Sequence, residues 1–141
     1  AVAFEVSKEN YNSKTILQFI KKSDTTLVGD IPTGKQNIRI ELASDKDVDV
    51  QVIDKTNGHE IVAWPNGDLN GANRECTNYS GVEVCYSGYN GVDGKLGHEY
   101  ITISGELTKD LQMKAFGYKA GVAKIDYAWG GEAAKLGNPL N

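Results

Sequence analysis

At 141 residues the chain has the length of one domain, enough to bury roughly 70% of the surface that its unfolded form exposes. A hydrophobic share of 40%, a charged share of 24% and a net charge of −4 describe a globular chain. It lacks the clustered cationic face that nucleic acid requires. No apolar run approaches the roughly 20 residues of a membrane-spanning helix, and a start at Ala1 is what removal of a signal peptide or of another upstream segment would leave.

From the N-terminus onward the apolar residues recur at every second position, the pattern of a half-buried strand. "AVAFEV" predicts a first strand with Val2, Phe4 and Val6 on one face. "TILQFIKK" predicts a second, although Ile16, Leu17, Phe19 and Ile20 would also make a helical stripe. Pro32-Thr33-Gly34 marks a turn. "NIRIEL" then places Ile38, Ile40 and Leu42 inward and Arg39 and Glu41 outward. "DVDVQV" places Val48, Val50 and Val52 inward against Asp47, Asp49 and Gln51 outward. Further strands are expected at 59–63, 82–86 and 99–103, and "LQMKAFGY" and "AKIDYAW" close the series. Four Asn-Gly dipeptides, at Asn57, Asn66, Asn70 and Asn90, supply tight turns between short strands. The sum is an all-β, antiparallel β-sandwich or barrel, with one domain over 1–129 and a tail over 130–141. Residues 64–98 stand apart as a long Asn/Gly/Tyr-rich loop interrupted only by "GVEVCY". Loops of that length are functional or specifically stabilised.

That loop holds both cysteines. Cys76 and Cys85 have eight residues between them, too many for a thioredoxin-type redox pair. His59 and His98 lie on separate segments, so zinc lacks its remaining ligands. A disulfide across a β-loop fits the spacing, and it implies an oxidising, extracellular compartment. Asn78-Tyr79-Ser80 is a glycosylation acceptor in a host that modifies secreted proteins.

Chemistry is sparse. Neither histidine sits in a nucleophile–base motif, which argues against an enzyme. "SDKDVD" gathers Asp45, Asp47 and Asp49. Such an acidic turn is the place for a metal if there is one, and calcium, which takes six to eight oxygens, is the ion it would suit. The bland alternative is a solvated turn. Aromatic rings beside Asn and Asp make the recipe for stacking on sugar faces and hydrogen-bonding their hydroxyls. Trp64, Asn66, Asp68, Asn70, Tyr86, Tyr89, Asn90 and Asp93 supply it in the long loop. Trp64 and Tyr89, beside Asn-Gly turns, are expected to be exposed. Tyr118 and Tyr127, within closing strands, are expected in the core.

"VGDIPTGKQNIRIELASDKDVDVQVID", residues 28–54, resembles the early strands of the bacterial pre-peptidase C-terminal (PPC) domain family. Pro32-Thr33-Gly34 stands where that family has a turn before an apolar strand, and Asp47 to Val52 where it has an acidic strand start. Cys76, Tyr79 and Cys85 resemble its two-cysteine loop. Gly117-Tyr118, Gly121-Val122 and Tyr127 resemble its closing strands. The likeness spans about residues 25 to 129. It departs at Val50-Gln51-Val52 and in the longer insertions around Asn66 and Asn90. The resemblance implies a jelly-roll sandwich, secreted, non-catalytic and sometimes calcium-binding, that accompanies proteases. The reading for function is a secreted binding module for an extracellular glycan or protein polymer. The alternatives are an assembly subunit that pairs through its sheet edges, as in a homo-oligomer, and an accessory domain of a secreted protease.

Overall fold

The computed structural model describes residues 11–70, 74–88 and 97–130. Among the described residues there are ten strands and no helix. They are β1 (Tyr11–Ile20), β2 (Thr25–Ile31), β3 (Gly34–Ser44), β4 (Val48–Asp54) and β5 (Glu60–Val62), followed by β6 (Glu75–Tyr79), β7 (Val82–Tyr86), β8 (Gly97–Leu107), β9 (Leu111–Gly117) and β10 (Gly121–Gly130). They form two antiparallel sheets, one ordered β1-β10-β3-β8-β7-β6 and the other β2-β9-β4-β5. Antiparallel β1–β10, β2–β9, β3–β8 and β4–β5 pairs nest one inside the next. That wrapping is a jelly roll, and the β6–β7 hairpin extends its first sheet.

Alternation explains the core. Ile38, Ile40 and Leu42 of β3, Ile101 and Ile103 of β8, and Ile125 and Tyr127 of β10 face Val50 and Val52 of β4 and Met113 and Ala115 of β9, all buried. The "TILQFIKK" segment is strand as far as Ile20, and β1 lies along β10 from Tyr11↔Gly130 to Ile20↔Gly121. Its odd residues point outward, which leaves Leu17 and Phe19 exposed beside Val122.

Several expectations are corrected. The 64–98 stretch contains an additional strand, β6, whose pairing with β7 places Cys76 directly opposite Cys85. Those two residues form the disulfide. The loop expectation fails at β6, and the strand reading of "TILQFIKK" holds over its helical alternative, because strand pairing, a long-range interaction, overrides local composition. Tyr127 is buried, but Tyr118 is 37% exposed, because it lies one residue beyond β9 on that strand's outer parity. Asp49, expected to be solvated, is buried. The "AVAFEV" strand and the tail from 131 lie outside the described residues.

The core also contains acid groups. Glu99 of β8 faces inward with 2% exposure and accepts a hydrogen bond from the Tyr86 hydroxyl. Asp54 closes β4, accepting from the Thr56 amide at 2.8 Å and the Tyr79 hydroxyl at 2.5 Å.

Candidate functional site

The outer face of the smaller sheet is built by the same alternation that fills the core. On β9, Met113 and Ala115 turn inward, so Lys114 and Phe116 turn outward, with Tyr118 following on the same side. On β4 the outward positions are Asp49, Gln51 and Ile53. The register sets these residues in rows across the sheet: Lys114 opposes Leu27 on one side and Gln51 on the other, and Phe116 opposes Thr25 and Asp49. Ile53 opposes Glu60 of β5.

Trp64 and Pro65 follow β5 and rise as one wall. The turn that carries them is tied by the Gly67 amide donating to the Ala63 carbonyl at 3.1 Å, and by the Asn70 side-chain amide donating to the Pro65 carbonyl at 2.5 Å. A Cβ at residue 67 would lie 2.5 Å from the Ala63 nitrogen, so only glycine allows the turn to close this tightly. Thr25, Gln51, Ile53, Glu60, Trp64, Pro65, Lys114, Phe116 and Tyr118 together enclose a trough of about 520 Å³. That volume lies within the roughly 300–1,000 Å³ of small-ligand sites.

The trough is aromatic at its rims. Trp64 is 44% exposed and Tyr118 37%. Phe116 and Tyr118 meet edge to face, centroids 4.9 Å apart and planes at 73°. Tyr118 is held from below, since its amide donates to the Asp47 carbonyl at 2.9 Å. Its hydroxyl is held above the usual phenol range by burial and by the nearby charges of Asp49 and Asp47. Asp49 is itself pushed up to about 6 by burial and by Asp47. Between the rims, Gln51, Lys114, Glu60 and Thr25 offer donors and acceptors of both charge signs.

The residues singled out from sequence disperse. Trp64 lines the trough. Asn66 is exposed on the adjoining turn, and Asn70 braces that turn rather than facing a ligand. Asp68 bonds the His59 ring at 2.7 Å, and that ring in turn stacks on Tyr79 at 5.4 Å. Tyr86 is in the core with Glu99, on the far side of the sandwich interior from the trough. Tyr89, Asn90 and Asp93 lie outside the described residues. Phe116, Tyr118, Gln51 and Lys114 were not anticipated as ligand contacts. A signal for them existed: two aromatics at outward parity, flanking the apolar Met113 and Ala115.

The acidic turn spreads its side chains. Asp45 is exposed, Asp47 half-buried and Asp49 buried. The Asp47 carbonyl is engaged by the Tyr118 and Lys119 amides. Among the described residues, metal-type side chains converge at Cys76, Glu83 and Cys85, where both sulfurs are already joined in the disulfide.

Comparison by sequence finds no match, either to a protein family or to a curated protein. By structure the chain is similar to the CspB protease of Clostridium perfringens, with a TM-score of 0.53 at 16% identity over 79% of this chain. It spans only 24% of that protease, so the shared part is a portion of a larger enzyme and the likeness is one of fold. ToxT of Vibrio cholerae overlaps 91% of this chain and 34% of its own, at 8% identity and a TM-score of 0.32, too slight to carry the fold. Among the described residues no helix is long and apolar enough to cross a membrane.

Proposed function

We propose that this chain is a secreted, non-enzymatic binding module that recognises an extracellular glycan through the outer face of its smaller sheet. The observation that supports this reading most is the trough itself: exposed Trp64 and Tyr118 rims over a floor of amide, hydroxyl and charged groups. Aromatic faces attract the C–H faces of sugars, and the polar floor can satisfy hydroxyls that would otherwise be buried unpaired. The disulfide suits an oxidising compartment. A glycan array probed with the wild type and with Trp64→Ala tests it. Signals lost in the variant place recognition at the trough, and a chain that binds nothing on the array removes the reading.

A second reading, compatible with the first, is that the module is a divergent PPC-like domain that accompanies a secreted protease. The fold shared with part of a clostridial protease favours it. Such a module would keep its partner near polymeric substrate by raising effective concentration. Its test is whether the gene's full product joins this chain to a protease domain.

A further inference from the structure

We propose that the trough takes a single free, uncharged glycan chain, not the flat face of a crystalline polymer and not a polyanion. The inference rests on the glycan-binding reading and narrows its ligand class. A crystalline face is planar over many sugar units, so a protein that grips it must offer ring faces lying in one exposed plane. Phe116 and Tyr118 cross at 73°, so both cannot lie flat against one plane. Trp64 and Tyr118 also line one open trough of about 520 Å³ on the sheet's outer face, a volume suited to a single chain.

The floor points the same way. Gln51 and Lys114 are cross-strand neighbours on β4 and β9, and Glu60 is next in line beyond Ile53. These groups can reach the equatorial edges of a sugar ring, which carry its hydroxyls. In a crystalline polymer those edges are already hydrogen-bonded to adjacent chains, so the floor would find no partner there. In a free chain they are available. Charge excludes the remaining class. The trough holds one cation, Lys114, against one anion, Glu60, and Asp49 lies on the same face. A uronate or sulfate ester would therefore gain no net attraction while losing hydration, and the whole chain repels it with a net charge of −4.

The test uses the intact chain with three sets of probes: neutral soluble chains (cellohexaose, chitohexaose, xylan, mannan), insoluble crystals (microcrystalline cellulose, α-chitin) and polyanions (polygalacturonate, heparin). Gelatin serves as a protein polymer. Calorimetry with the soluble probes and depletion by the solids are the readouts. The expected result is binding to at least one neutral soluble chain, little changed between low and high salt, and no depletion by crystals. Tyr118→Ala and Gln51→Ala should each weaken it tenfold or more while thermal unfolding stays near the wild type. Having two variants guards against a loss caused by misfolding in one of them. Depletion by crystals at least as strong as binding to free chains overturns the inference but leaves glycan recognition standing, as does salt-sensitive binding confined to polyanions. Binding to gelatin alone, or to no probe, overturns both.

Discussion

Trp64 and Tyr127 differ by little in chemistry and by everything in position. Tyr127 is buried at 2% exposure and stacks on Trp129, centroids 5.1 Å apart. Truncating it leaves a cavity between the sheets, so Tyr127→Ala should cost about 3–5 kcal/mol in denaturant unfolding. Tyr118 and Trp64 present much of their area to water. Tyr118→Ala and Trp64→Ala should each cost about 1 kcal/mol or less and act on binding instead. If Tyr118→Ala proved as costly as Tyr127→Ala, the Tyr118 ring would be structural and the trough would lose its rim. Gly105 is the backbone counterpart. Its φ is 122°, and a Cβ there would stand 2.7 Å from the Gly81 carbonyl oxygen. Gly105→Ala should therefore destabilise by more than about 1 kcal/mol, seen as a lowered midpoint in urea.

At the level of elements, the β6–β7 hairpin is the addition to the jelly roll, and β6 is an edge strand that pairs with β7 alone among the described strands, with Tyr79 at its end anchored on Asp54 and His59. Its residues are largely exposed, so apolar burial does little to retain it. The Cys76–Cys85 bond adds a covalent constraint to the Tyr79 contacts. Closing a loop of this size stabilises by about 2.7 kcal/mol in the chain-entropy view. The unreduced, denatured protein should show no free thiol. The double variant Cys76→Ser with Cys85→Ser should lose about 2–3 kcal/mol, with faster amide exchange in β6 than in β3 or β8. Equal loosening of all strands would mean that the bond holds the whole sandwich rather than its edge.

For the whole molecule, buried acids set how stability follows pH. Burial, then the charges of Asp49 and Asp47, push Glu99 up to about 8, with the Tyr86 hydroxyl and the Val50 amide pulling the other way. Asp49 sits at about 6. Unfolded carboxyls titrate near 4, so the native state binds these protons more tightly. The stabilisation they bring is complete below about pH 4 and is lost as pH rises through about 6 and then about 8. Glu41 and Asp54 act oppositely. Burial alone would raise both, but hydrogen bonds from Tyr100 and His98 to Glu41, and from Tyr79 and Thr56 to Asp54, lower them. Their contribution is present above about pH 4 and is lost on acidification. The thermal midpoint should therefore peak in mildly acidic buffer and decline toward about pH 9. Glu99→Gln should flatten the alkaline decline without touching the acid limb. An unchanged alkaline slope in that variant would assign the decline to other groups.

The strands of the sandwich could be read along the chain because burial on one face leaves a period of two, and β3, β4, β9 and β10 carry it cleanly. The cysteine pair was equally legible, since no third cysteine competes. Other features depended on partners distant in sequence. β6 has no alternation of its own and becomes a strand because β7 pairs with it. Tyr86 falls in a strand expected from the sequence, yet its ring is not the ligand contact expected there and instead turns inward with Val82 and Val84, onto Glu99. Phe116 and Tyr118 become a rim only when β2-β9-β4-β5 assemble, because sheet order brings Trp64 of one connection alongside residues some fifty positions later. Local pattern tells which face of a strand is apolar. Which strands lie side by side, and so which outward residues share a surface, is decided by pairing and packing across the whole chain.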